Sequence, residues 1–203
     1  MGAPRVTTNR ALAATALVLG ALAAAAGAPR PSTPGQIDVD ELASMVVHEQ
    51  DHVDAIDLAE WIRDQKPGLR VVDVRTESEF AEYHVPAAEN IPIEALSRAH
   101  FAPNDTIVMY SQGGAHAAQA WVLLRALGYK QVFFLSGGLD EWATDVMAPL
   151  LQDDATAAEQ QAFARISEIS RYFGGIPHTG PRPAPGAASP AASVLTKLKR
   201  RGC

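Results

Sequence analysis

Cysteine is nearly absent from this sequence: among its 203 residues the only one is Cys203. One cysteine cannot form a disulfide within the chain, so an oxidising compartment would add no covalent stability to the fold. It also excludes thiol chemistry from every position before residue 203. The sequence shows no internal repeat, and its length leaves room for one ordinary domain with appendages.

Basic residues are scarce in the body of the chain. Of the 17 Lys and Arg, two (Arg5 and Arg10) lie near the N-terminus and four lie in residues 197–201. The 11 that remain are outnumbered by all 23 Asp and Glu, which leaves the body with a net charge of −12. An acidic body argues against nucleic acid as the partner. The basic tail, in contrast, can contact an acidic partner, anionic lipid or the body itself.

The first 28 residues have the pattern of a signal peptide. Arg5 and Arg10 precede an uncharged apolar run over residues 11–28, and small residues at 24–26 offer a cleavage site before Gly27. The run has about 18 residues, just enough to span a bilayer, so an uncleaved membrane anchor is the alternative. The absence of cysteine from this segment excludes a lipoprotein anchor. We therefore expect an exported protein, periplasmic or membrane-anchored and facing outward.

The pattern changes between residues 29–54 and residues 55–150. The first segment combines a linker rich in Pro, Gly and Ser with a predicted helix from Asp38 to Glu49. The second opens with a short helix after Asp57, preceded by extended chain at residues 53–56. Strands are then predicted at residues 70–74, 106–110 and 131–135, and helices at 76–83, 115–127 and 139–146. This alternation predicts an α/β fold with a parallel sheet flanked by helices.

Two segments follow this domain. Residues 151–173 are predicted to contain one more amphipathic helix, from Asp153 to Phe173, with Ala162, Ile166 and Ile169 on one stripe. Residues 174–203 form a tail rich in Pro, Gly and Ala with a basic end, and we expect it to be disordered.

The strand at 106–110 runs through a glycine-containing turn directly into the helix at 115–127. Such a turn aims backbone N–H groups and the positive end of the helix dipole at one point, an arrangement that binds anions. We therefore single out the turn and the start of the helix as a candidate anion-binding loop. Its residues are Ser111, Gln112, Gly113, Gly114, Ala115 and His116.

Four motifs occur in the order found in one family of domains. They are Asp73-Val74-Arg75, the segment His84-Val85-Pro86-Ala87-Ala88 with Asn90-Ile91-Pro92, the strand leading into the six-residue loop, and Leu135-Ser136-Gly137-Gly138-Leu139 with Trp142. Through these motifs, residues 55–149 resemble the rhodanese (sulfurtransferase) domain family. The resemblance implies a rhodanese fold. It also implies that Asp73 and Arg75 are mainly structural, a carboxylate at a strand end and a partner that orders neighbouring loops.

The loop departs from the family pattern at the positions that carry the chemistry. The family loop has the form Cys-x-x-Gly-x-Arg and its cysteine carries sulfur as a persulfide, but here Ser111 and His116 stand at the two ends. A serine hydroxyl needs an adjacent base to react and cannot hold a persulfide. The resemblance thus implies a pseudoenzyme without loop-based sulfurtransferase catalysis. Histidine, unlike arginine, is cationic only in acidic solution, which makes any anion affinity depend on pH. Ala87 also replaces a glycine usual in the family.

A second motif has the form His-Glu-x-x-His. His48 and His52, with Glu49 after the first, match the helical signature of zinc proteases, in which two histidines bind zinc and the glutamate activates a water. Against a metal site, the helix is predicted to end here, and a third ligand is missing at the usual spacing. These residues are interpreted as polar residues at a helix exit, with His48 and His52 as weak candidates for a metal.

Three functions remain open. The preferred one is a binding module that holds an anion or a partner's group in the loop 111–116. The second is a sulfur-relay protein that carries sulfur on Cys203, since nearby cations favour a thiolate. The third is a metal-dependent hydrolase at His48 and His52. No cofactor is expected. The expected partners are a small anion or a protein of sulfur metabolism or redox chemistry, with membrane contact only if the N-terminal segment is uncleaved.

Overall fold

The computed structural model describes residues 15–17 and 38–181. Apart from residues 15–17, the predicted signal peptide and linker lie outside the described residues, and so do residues 182–203 of the predicted tail. In the described part of the chain, no helix is both long and apolar enough to cross a bilayer.

A parallel sheet forms the centre of the domain. Its strands are β1 (His52–Val53), β2 (Leu69–Asp73), β3 (Ala88–Asn90), β4 (Thr106–Tyr110) and β5 (Val132–Leu135), in the order β1-β5-β4-β2-β3, and each neighbouring pair is parallel. The register pairs Asp73 with Tyr110, the last residues of β2 and β4. The carboxyl ends of the central strands therefore meet at one edge of the sheet, where parallel sheets place their ligand sites.

Helices cover both faces of this sheet. They are α1 (Val39–Val47), α2 (Ala55–Arg63), α3 (Glu77–Glu82), α4 (Ala115–Ala126), α5 (Gly138–Glu141) and α6 (Ala157–Tyr172), with a 3₁₀ helix at Ile93–Arg98 and a π-helical turn at Trp142–Met147. A second, small parallel sheet pairs β6 (Leu150–Gln152) with β7 (His178–Gly180). The predicted α/β class, a parallel sheet flanked by helices, is confirmed.

The core consists of two layers, one on each face of the sheet. Successive side chains of a strand point to opposite faces, so Val71 and Val72 of β2 enter different layers. The layer of Val71 is completed by α2, the π-helical turn and α6, and it buries Trp142. The layer of Val72 is completed by α4, which buries Trp121. Both layers hold β4 in place, since all five of its residues are buried.

Two predicted helix starts are wrong. Helix α2 begins at Ala55 rather than after Asp57, because Asp54 takes the N-cap position and Ala55 is buried in the first turn. The extended chain before it is therefore limited to β1 and the cap. Helix α6 begins at Ala157 rather than Asp153, because residues 150–152 form β6 and Thr156 then caps the helix in a capping box with Glu159.

The predicted disordered tail is wrong at its beginning. Residues 178–180 form β7, which pairs with β6 in the register Leu150 to His178. Ile176 donates its backbone N–H to the Met147 carbonyl at 2.8 Å, and this hydrogen bond leads the chain into the small sheet. The π-helical turn was also missed, because a π turn and an α turn differ in hydrogen-bond register and not in the spacing of apolar residues.

Candidate functional site

A buried ion pair lies at the carboxyl end of β2. Asp73 and Arg75 are both buried, and Arg75 donates to the carboxylate through Nε at 3.0 Å and Nη2 at 2.6 Å. Burial acts to lower the pKa of the guanidinium, but the hydrogen bond and charge of Asp73 outweigh it and raise the pKa. Arg75 Nη2 also donates to the Tyr83 carbonyl at 2.8 Å, and Asn90 donates to the carbonyls of both members of the pair. The pair thus holds the chain segments around residues 83 and 90.

Ser111 lies directly after β4 and is buried, with 2% of its surface exposed. Its Oγ accepts a hydrogen bond from the backbone N–H of Ala117 in the first turn of α4, at 3.3 Å. In the described part of the chain no basic side chain bonds to this hydroxyl. The hydroxyl acts here as an acceptor that ties the loop to the helix.

The loop is fastened to the turn that follows β5. Leu139 donates its N–H to the Ser111 carbonyl at 2.9 Å, and Asp140 donates to the Gln112 carbonyl at 3.0 Å. Gly138 permits this approach, because a Cβ there would lie 2.3 Å from the Ser111 oxygen and 2.6 Å from the Gly114 nitrogen. Gly114 itself has a φ of 86°, a left-handed conformation that favours glycine.

The backbone N–H groups of residues 112–116 have no acceptor within the described part of the chain. They belong to the loop and to the first turn of α4, a helix of 12 residues. Their partial positive charges add to the positive end of the helix dipole. The side chains of Gln112, Ala115 and His116 are exposed, so water and solutes reach this part of the loop.

Gln112 bridges the two charged groups that flank the loop, and sequence reasoning missed this role. Its Oε1 accepts from Arg75 Nη1 at 3.3 Å, and its Nε2 donates to Asp140 Oδ1 at 2.5 Å. The other Asp140 oxygen would lie 3.7 Å from a Cβ at Gly113. A carboxylate therefore stands beside the N–H groups of the loop and opposes the binding of an anion there.

The two histidines of the His-Glu-x-x-His motif do not share a helix. Helix α1 ends at Val47, and His52 lies in β1. His48 Nδ1 lies 2.7 Å from the Ser44 carbonyl, while His52 Nδ1 lies 2.9 Å from Asp51 Oδ1. Among residues 15–17 and 38–181, no group of three His, Cys, Asp or Glu is placed to hold a metal. Cys203 lies outside these residues.

Comparison with known proteins agrees with this fold and these motifs. The profile of the rhodanese-like domain family matches residues 54–145. A sulfurtransferase of Allochromatium vinosum is 33% identical over 93 residues, which cover 45% of this chain and 86% of that protein. The thiosulfate sulfurtransferase PspE of Escherichia coli is 34% identical over 76 residues, covering 36% of this chain and 72% of PspE. This chain therefore belongs to the rhodanese-like domain family.

Other relatives also match less than half of the chain. The thiosulfate sulfurtransferase of Cricetulus griseus is 33% identical over 119 residues, but the match covers 40% of that enzyme and 42% of this chain. A solution structure of a rhodanese-like domain from Anabaena is 32% identical, covers 45% of this chain and 71% of that chain, and superposes with a TM-score of 0.42.

Proposed function

We propose that this protein is an exported rhodanese-like binding module that holds an anion or a partner's group in the loop 111–116 and transfers no sulfur through that loop. The observation that carries the proposal is Ser111, which the resemblance to the family aligns with its sulfur-carrying cysteine. Sulfur transfer in that family requires a sulfur–sulfur bond to the enzyme, and a hydroxyl oxygen cannot form it. What the loop retains is a set of N–H groups with no acceptor within the described part of the chain.

The first experiment measures sulfur transfer from thiosulfate to cyanide. We expect the Cys203→Ser variant to show no turnover above the uncatalysed rate, and Ser111→Ala to change nothing. Turnover that survives in Cys203→Ser and disappears in Ser111→Ala would contradict the proposal. Restoring a thiol with Ser111→Cys should yield at most weak activity, because His116 is a poorer fixed cation than arginine and Asp140 opposes a thiolate.

The second experiment measures binding to the loop. Thiosulfate or sulfate is titrated into isotope-labelled protein while the amide signals of residues 112–116 are followed by NMR. Because Asp140 places a negative charge beside these amides, Asp140→Asn should raise the affinity, by roughly threefold for one partly screened charge. Glu94→Gln, which neutralises an exposed carboxylate of the 3₁₀ helix, is the matched control and should leave the affinity unchanged. Amide signals that do not move in either variant would contradict an anion-binding loop.

A sulfur relay through Cys203 is the second candidate. The observation that favours it is the basic sequence before this residue, which contains Lys197, Lys199, Arg200 and Arg201. Nearby cations lower the pKa of a thiol and increase its thiolate fraction. The relay requires a persulfide on Cys203 after incubation with a persulfide donor, detected by mass spectrometry. The same chain with Lys197 and Lys199 changed to Gln is the control. If Cys203 is modified equally in the natural chain and in this control, these two cations do not activate the thiol.

A further inference from the structure

A groove lies between the small sheet and helix α6. Its volume is about 450 Å³, and six of its nine lining residues are apolar, although polar atoms make up the larger part of its open surface. The apolar residues are Leu150 and Leu151 of β6, Ala155 before the helix, and Ala162, Phe163 and Ile166 on the helix. Phe163 and Ile166 are half-buried, so their side chains remain partly open to solvent within the groove. Burying such surface is favourable by about 25 cal/mol per Å².

The rim of this groove is acidic. Asp154 and Glu159 line it together with the apolar residues, and no Lys, Arg or His of the described chain does so. Glu159 accepts hydrogen bonds from the hydroxyl and the backbone N–H of Thr156, and these lower the pKa of its carboxyl group. The rim is therefore negatively charged at neutral pH. A segment that fills the groove should combine apolar side chains with positive charge.

The described chain ends next to this groove. Pro181, the last described residue, lines an adjoining cavity with Gln152, Asp153 and Asp154. Gln152 and Asp154 line both cavities, so the two are neighbours. Whatever follows residue 181 in the chain therefore starts at the rim.

The residues after Pro181 contain one segment with the required chemistry. Val194, Leu195 and Leu198 are spaced so that they fall on one face of a helical turn, and four cations lie in residues 197–201. Residue 194 is 13 residues beyond Pro181, and at about 3.3 Å per residue the intervening chain reaches roughly 43 Å. The segment is therefore long enough to reach back to the groove.

We propose that the groove between β6 and α6 is the docking site for residues 194–201 of this same chain. The proposal matches the apolar residues Val194, Leu195 and Leu198 with the apolar residues of the groove, and the four cations with Asp154, Glu159 and the neighbouring Asp153. This inference is independent of the proposed function of the loop 111–116. Its testable consequence is that a label attached to Cys203 should lie near α6.

The experiment uses Cys203, the only cysteine, as the attachment point for a nitroxide spin label on the full chain. We expect the amide NMR signals of groove residues, including Leu151 and Phe163, to lose most of their intensity relative to the reduced label. Leu195→Asp together with Leu198→Asp should restore that intensity, because the tail then carries no apolar face. Asp154→Lys should restore part of it, whereas Glu94→Lys, an equal charge change outside the groove, should not.

A mixed sample separates the chain's own tail from that of a second copy. Isotope-labelled protein without the nitroxide is combined with spin-labelled protein without isotopes, so that only contacts between copies broaden the signals. We expect no broadening at the groove in this sample. Broadening there would show that the occupant is the tail of another copy. Full intensity at the groove in the original sample, or loss confined to another surface, would show that the tail does not dock there.

Discussion

Ala87 has a φ of 64°, in the left-handed region that side chains with a Cβ adopt at a cost. The resemblance to the rhodanese family places a glycine at this position. Ala87→Gly should therefore stabilise the fold by about 0.5–1 kcal/mol, since relief of the backbone strain exceeds the added freedom of the unfolded chain. Urea denaturation followed by circular dichroism measures this change in the free energy of unfolding. Ala88→Gly, in β3, is the control and should destabilise; equal effects at both positions would contradict the assignment of strain.

Asp145 is a partly buried carboxylate of the π-helical turn. Burial raises the pKa of its carboxyl group, and the charges of Glu141 and Asp54 raise it further. Because the folded pKa lies above the unfolded value of about 3.9, the ionised form destabilises the fold at neutral pH.

Asp145→Asn should consequently be more stable than the natural chain at pH 7. The advantage should shrink as the pH falls through the raised pKa of the folded state, and it should vanish below about pH 3.9, where the carboxyl group is protonated in both states. Urea denaturation at several pH values measures this trend. Asp64→Asn is the matched control, because Arg63 lowers the pKa of that exposed carboxyl group and its removal should bring no gain. An advantage that does not change with pH would exclude ionisation as the cause.

Elements with a strong local signal were predicted well. The capping box of Thr76 and Glu79 marks the start of α3, and both of its hydrogen bonds are present. Strand β4 has the predicted bounds because five apolar or β-branched residues stand between an acidic turn and a glycine-containing loop. Strands β6 and β7 were missed because each has three residues, too few for a pattern. Their pairing depends on contacts between segments far apart in the chain.

The junction between the loop 111–116 and α5 depends on Gly138. Gly138→Ala should cost at least about 2 kcal/mol of unfolding free energy, because a Cβ would collide with backbone atoms of the loop in addition to straining a φ of 61°. Gly128→Ala is the control: its φ is 94°, but a Cβ there would meet nothing within 4 Å. We expect this control to cost about 1 kcal/mol. If both variants lose the same free energy of unfolding, the close contact between Gly138 and the loop does not contribute to stability.

At the scale of the whole molecule, the sequence predicted the strand and helix on either side of the loop 111–116 but not the contacts that hold this loop. The turn between β4 and α4 was identified from residues next to one another. The bridge made by Gln112 was not, because Arg75 and Asp140 are 37 and 28 residues away from it in sequence. The residues next to a loop glutamine in the sequence do not indicate which distant residues its side chain will hydrogen-bond. Only the convergence of β2, β4 and β5 at one edge of the sheet brings these groups together.

Export is a prediction about the whole molecule. If residues 1–28 act as a signal peptide, protein recovered from the exported fraction should begin near Gly27, after the small residues at 24–26. Intact mass spectrometry of that fraction measures the new N-terminus. As a matched test of the cleavage site, replacing Ala24 and Ala26 by bulky residues should block the cleavage. A chain that retains Met1 in the membrane fraction would favour an uncleaved anchor.

The strand order affects when the sheet can be completed during synthesis of the chain. Among the strands of residues 38–181, β1 is the first to be synthesised, yet within these residues it pairs only with β5, the last strand of that sheet to be made. Pairings between segments so distant in sequence slow folding, because the intervening chain must first lose its freedom. A nascent chain cannot close this edge until Leu135 has left the ribosome, and until then β4 lacks one of its two neighbours. During that interval the growing chain exposes β1 and one edge of β4 without their partner β5, and such unpaired edges are where chaperones bind.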